Sequence, residues 1–326
     1  MPEQKKSKVI LRGVTKDNLL AVVQECMELC NWQTWVPRGG FVVVKPNLCT
    51  AVPSIIRAAN TDLAVTEAAC RVLLTRANRV VVCEADHMRQ KTQEVYEATG
   101  YAELKKLGVE LVNLSDLPVT RVDCPPAGQI ELPRLLFDAD AFITLPKLKT
   151  HALTYFTASL KNQWGCVPHY DDRIRHHRLI NEMLSSIHEL LRPKMSLVDG
   201  IVCMEGRGPV AGPARELNVI LASEDSIAMD ATAMRLVGLQ PKRSKHVMIA
   251  ARRGLGHVKA EDIVVDGDWS RHATKFQPPP KDWANTLCFK FTKYDWFTKN
   301  ILGNDSIYYP ISYCVQFIRR IGLLGG

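Results

Sequence analysis

The 326 residues, 46% apolar and 23% charged, have the make-up of an ordinary globular protein and suffice for one large core or two lobes. No apolar run approaches the roughly 18 residues of a membrane-spanning helix, and the ten cysteines contain no Cys-x-x-Cys pair of the kind that iron–sulfur and zinc sites use. A formal charge of +8 favours an anionic ligand or surface, with solvated lysines as the plainer reading.

The elements follow in order. Lys8 to Leu11 reads as a strand, and Asn18 to Cys30 as an amphipathic helix with Leu19, Val23 and Met27 on one stripe. Phe41 to Val44 is a continuous apolar run, the mark of a strand buried on both faces. It runs into Lys45-Pro46-Asn47, where proline ends the strand. Asn60 or Thr61 is the expected cap of the next helix. Arg79 to Cys83 is a strand ending at Glu84-Ala85-Asp86-His87. A helix is expected from Gln93 to Leu107, stopped by Gly108, then a strand from Val109 to Leu114. The proline-rich stretch Asp116 to Arg134 reads as loop.

The strand Ala141 to Leu145 leads into Pro146-Lys147-Leu148-Lys149-Thr150-His151, and Ser159 to Trp164 is a helical turn presenting Lys161 and Asn162. Leu179 to Leu191 is an amphipathic helix closed by Pro193. Met195 to Val198 is a strand ending at Asp199-Gly200, followed by Glu205-Gly206-Arg207-Gly208-Pro209. A strand from Val219 to Ala222 precedes the helix Ser226 to Val237, with Asp225 as its expected cap and Asp230 in its second turn. The alternation predicts an α/β fold, a largely parallel sheet with helices on both faces, over residues 1–277. Pro278-Pro279-Pro280 opens an extension, 278–326, rich in aromatic and basic residues. It is expected to pack on the domain or a sister subunit, with a peripheral membrane contact as the other option.

Polar residues gather at the ends of apolar strands, where such sheets bind ligands. Lys45, Lys147, Lys149 and Lys161 all fall there, and four lysines at one edge repel one another unless an anion or carboxylates lie between them. One reading is a phosphate or carboxylate cradle with a lysine of lowered pKa; the other is ion pairing with Glu84, Asp86, Asp199 and Glu205. Lys147, Lys149, His151 and Lys161 are the candidate catalytic residues, and Lys45, Asn47, Thr150, Asn162, Gly206 and Gly208 the candidate substrate contacts. Asp199, Glu205 and His177 are a candidate set for a divalent metal, without a His-x-x-x-His spacing to support it. No P-loop, dinucleotide fingerprint or Gly-x-Ser-x-Gly is present, and within the α/β part no basic stripe interleaved with aromatics points to nucleic acid.

The motifs Val44-Lys45-Pro46-Asn47, Leu145 to His151, Lys161-Asn162-Gln163-Trp164-Gly165, Asp199-Gly200-Ile201 with Glu205 to Pro209, and Ser223-Glu224-Asp225 with Asp230 resemble the family catalogued as domain of unknown function 362. The resemblance implies one shared pocket built from Lys45, Asn47, Lys147, Lys149, His151, Lys161, Asn162, Asp199, Glu205 and Asp230. Many members of that family carry a ferredoxin-like segment with clustered cysteines; this chain has no such cluster, so an iron–sulfur centre is not expected. The expected function is an enzyme acting by acid–base chemistry on an anionic small molecule, metal-assisted or not. A redox protein with a bound cofactor and a scaffold using its tail are the competing readings. With no signal-peptide pattern behind Met1-Pro2-Glu3-Gln4-Lys5-Lys6, the expected location is the cytoplasm.

Overall fold

Short apolar runs joined by helices assemble into one ten-stranded sheet and a separate two-stranded ribbon. The computed structural model describes residues 6–87 and 90–280, with scattered positions between 291 and 314. In chain order the strands are β1 (Ser7–Gly13), β2 (Phe41–Pro46), β3 (Arg79–Glu84), β4 (Glu110–Asn113), β5 (Val119–Asp123), β6 (Gln129–Pro133), β7 (Ala141–Leu145), β8 (Lys147–His151), β9 (Tyr155–Thr157), β10 (Met195–Met204), β11 (Ala214–Ser223) and β12 (Ile263–Asp266). The main sheet runs β12-β1-β11-β10-β7-β2-β3-β4, with β8 beside β10 and β9 beside β8. Strands β10, β7, β2, β3 and β4 are mutually parallel, and β11 is antiparallel to both its neighbours. The fold is α/β with a mostly parallel sheet.

Strand side chains alternate between faces, which divides the core. Val42, Val44, Val80 and Val82 pack against the helices Leu19–Leu29 and Leu63–Leu74. Val43, Val81 and Phe142 point the other way, onto the helix Ile180–Leu191. Val9, Leu11, Val219 and Leu221 share that second face and meet the helix Ser226–Leu236. Helices therefore cover both faces.

Several expectations need correction. The helix expected over 93–107 is two pieces, Thr92–Ala98 and a 3-10 run Tyr101–Leu107, because Gly100 takes a left-handed φ of +75°. The stretch 116–134 contains a hairpin, β5 against β6, whose prolines hid its alternation. Strands β10 and β11 extend well past the apolar stretches that marked them. Asp62, not Asn60 or Thr61, caps the helix Leu63–Leu74 by accepting from Ala64 N. Asn60 and Thr61 tie down the loop after β2 instead. Thr61 Oγ1 accepts from Asn47 N at 2.9 Å and donates to Leu145 O at 2.7 Å, while Asn60 Oδ1 accepts from Cys49 N at 2.8 Å.

Of the C-terminal extension, Phe291, Tyr294 and Trp296 are exposed. Trp283, Phe289, Phe317, Ile318, Arg319, Arg320, Ile321 and Leu323 lie outside the described residues. No helix among the described residues is long and apolar enough to cross a membrane.

The chain leaves β2 towards β3 and β4 on one side, then returns to β7 on the other. Connections diverging from adjacent parallel strands open a crevice beyond their carboxyl ends. Lys45 stands at the end of β2, and Pro146 links β7 to β8 beside it.

Candidate functional site

The four lysines meet two different fates. Lys45 at the end of β2 reaches across to Glu84 at the end of β3, with Nζ 2.7 Å from both carboxylate oxygens. Glu84 also accepts from Leu48 N and Ala85 N. Gly165 presses on this pair so closely that a Cβ there would lie 2.5 Å from Glu84 Oε1. Lys147 faces its register partner Asp199 on β10, with Nζ 2.8 Å from Oδ2 and both side chains fully buried. Asp199 further accepts from Asp62 N and Ile201 N. For these two lysines the ion-pairing reading is what the structure shows.

Lys149 and Lys161 have no carboxylate partner among the described residues. Lys149 is buried, with Nζ 2.6 Å from Ala59 O and 3.3 Å from Cys49 Sγ. Burial lowers its pKa. Lys161 rides on the short helix Ser159–Asn162, whose first two amides, Ser159 N and Leu160 N, donate to Asp230 at 2.7 and 3.1 Å. Its amine makes no hydrogen bond or ion pair among the described residues. Burial, then repulsion from Lys149 and Arg173, brings its pKa down to about 7. The other two expected carboxylates are used elsewhere: Asp86 pairs with Lys91, and Glu205 accepts from Gln277 N.

Lys45, Lys149 and Lys161 line a 340 Å³ cavity together with Arg173, His151 and His177. Arg173 is buried, donates to the Asp86 carbonyl and lies over the Tyr170 ring, with no carboxylate among the described residues to pair with. Nδ1 of His151 accepts from Leu153 N and Thr154 N at 3.1 and 3.2 Å. The ring's single proton therefore sits on Nε2. Burial, then Lys161, holds the pKa of His151 well below 6.5. Burial pushes His177 down to about 3, and His87, on the same wall, likewise to about 3. Thr157 Oγ1 and Asn47 Oδ1 are buried at this cavity without a hydrogen-bond partner. Trp164, Leu153 and Ile174 supply an apolar wall.

Asn162 lines the cavity, but its amide is spent on holding elements together. It donates to Lys45 O and Thr144 Oγ1 and accepts from Asn47 Nδ2. Lys147, Thr150, Gly206 and Gly208 are not among the lining residues. Thr150 donates to Gly206 O at 2.9 Å, and a Cβ on Gly208 would lie 1.9 Å from Thr150 O. Gly208 is thus packed tightly against β8, while Pro209 at the end of the same run lines the cavity. Asp199, Glu205 and His177 do not converge either. The first two carboxylates are occupied as described, only His177 faces the cavity, and no group of three metal-donor side chains forms among the described residues.

Arg173 and Tyr170 were not singled out from sequence. A signal was available: Tyr170, Arg173, Ile174 and His177 fall at i, i+3, i+4 and i+7, one face of a helical turn, and all four line the cavity.

A family model described as "Domain of unknown function (DUF362)" matches residues 42–235, which hold Lys45, Lys149, Lys161 and Arg173. The chain belongs to the DUF362 family. Among curated proteins, this DUF362 chain is 28% identical over 282 residues to the thylakoid-associated protein sll1697 of Synechocystis sp., covering 78% of this chain and 82% of that one. Among solved structures it is similar to the lactate racemase apoprotein of Thermoanaerobacterium thermosaccharolyticum, at 12% identity and a TM-score of 0.47 over 73% of this chain. It is also similar to a Thermotoga maritima protein, at 15% identity and a TM-score of 0.40 over 74%. The matched parts are 59% and 60% of those two chains.

Asp230 lies in the matched span but holds the helix of Lys161 rather than lining the cavity. Burial lifts its pKa from 3.8 to about 7 against the pull of its two amide donors. Between those values the folded chain holds a proton that the unfolded chain has lost, so this group's contribution to stability falls as pH rises and its penalty is complete above about 7. Asp230→Asn should therefore gain on wild type as pH rises through that window. Urea midpoints of both proteins across it measure this, and a constant difference would mean that Asp230 stays ionised when folded.

Proposed function

We propose that this DUF362 protein is an enzyme that holds a small carboxylate or phosphate on Lys149 and Arg173 and uses Lys161 to move a proton. The supporting observation is the charge imbalance of the cavity. Among the described residues Glu84 is the single carboxylate on its wall and is already matched by Lys45, while Lys149, Arg173 and Lys161 have no counter-ion there. Desolvated cations without a counter-ion are costly, and an anion entering among them relieves that cost. Thr157 Oγ1 and the Nε2–H of His151 add a hydroxyl and a donor for the same guest. An amine whose pKa lies near 7 is well matched to acid–base work at neutral pH.

The test is calorimetry of the full chain with inorganic phosphate and with pyruvate. Wild type should bind at least one of them, with affinity falling as salt is added. Arg173→Met should weaken that binding by about 10–150-fold, the worth of a charge-assisted hydrogen bond of roughly 1.5–3 kcal/mol. Absence of binding to either anion at millimolar concentration would remove the support for this function.

A further inference from the structure

We propose that Lys161 acts as a nucleophile as well as a base, forming an imine with an α-oxo carboxylate whose acid group lies on Lys149 and Arg173. This rests on the anion-binding reading above and narrows its substrate class. The geometry that carries it is the distribution of donors and lone pairs in the cavity. His151 has its Nδ1 occupied by two backbone amides, so the other nitrogen of its neutral ring, Nε2, carries a hydrogen rather than a lone pair. Glu84 is held by Lys45 and two amides. The amine of Lys161, without a partner among the described residues, supplies the free basic nitrogen.

One lone pair beside one N–H donor is the set that carbonyl addition needs: nitrogen to the carbonyl carbon, hydrogen to the carbonyl oxygen. A lysine placed beside other cations in a desolvated pocket is a recognised way to obtain such a nucleophile. Lys149 and Arg173 both repel the charged form of Lys161, so the balance of charge around it is positive. The apolar wall of Trp164, Leu153 and Ile174 fits a hydrocarbon or aromatic body behind the oxo acid. In the step itself the amine lone pair forms the C–N bond and the carbonyl π pair goes to oxygen. Loss of one water, with one proton taken up from solvent, leaves the protonated imine.

The experiment traps that species. Full-length protein is mixed with pyruvate, reduced with borohydride, whose hydride adds to the imine carbon, and digested for peptide mass analysis. The expected result is a reduced adduct at Lys161, suppressed by inorganic phosphate and absent from Lys161→Met. Lys161→Arg, which keeps the charge, should lack the adduct yet still bind pyruvate. The rate of trapping in wild type should rise with pH about a midpoint near 7. Pyruvate that binds by calorimetry but leaves no adduct at Lys161 would overturn the imine while preserving the anion site. Adducts scattered over surface lysines and equal in wild type and Lys161→Met would also overturn it. Failure of both pyruvate and phosphate to bind would remove both proposals together.

Discussion

Lys147→Met should lower the free energy of unfolding by about 3–5 kcal/mol, the usual cost of stripping one partner from a buried ion pair. Asp199 would keep its bonds from Asp62 N and Ile201 N but lose its cation at a fully buried position. Urea denaturation measures the loss. Lys147→Met combined with Asp199→Leu should recover part of it, because the stranded charge is then gone. A loss under about 1 kcal/mol in the single variant would show that this pair does not lock β8 to β10. The consequence for the site is indirect, since β8 also carries Lys149 and His151 into the cavity.

Lys161→Met should do the reverse, removing turnover while sparing the fold. The loss of a general acid–base group is worth roughly 10²–10⁴ in rate. Stability should hold or rise, because the lost amine is desolvated and pressed by Lys149 and Arg173. In the unfolded chain that amine keeps its proton up to about 10.5, and in the folded chain only up to about 7. Folding therefore releases a proton between those values, so wild-type stability gains from rising pH across that range and bears the full penalty below about 7. Lys161→Met lacks this slope. Thermal melts of both proteins from neutral to alkaline pH would show it. A variant that melts well below wild type at neutral pH would instead make Lys161 part of the framework.

Strands β2, β3 and β7 were legible because parallel strands buried on both faces read as unbroken apolar runs, and their polar ends marked the ligand edge. Which lysines would find a carboxylate was not legible, because register decides it. Lys147 lies opposite Asp199, but an irregularity in the β8–β10 pairing sets Lys149 opposite Met204, one residue short of Glu205. Gly208 in the 205–209 run is ambiguous from sequence, because close approach to a substrate and close approach to a strand demand the same residue. Thr150 O shows that here the near neighbour is the strand. Arg173 was lost in a charged stretch, His169 to Arg178, where a buried guanidinium and a solvated one look alike.

Asp230 reaches the helix of Lys161 from a part of the chain that comes after every cavity-lining residue, the last of which is Pro209. A polypeptide ending near Pro209 would own the whole wall of the cavity and still leave Ser159 N and Leu160 N without their acceptor. The position of Lys161 is thus dictated by sequence outside the cavity wall, and a chain able to form this site must run through the Ser226–Leu236 helix.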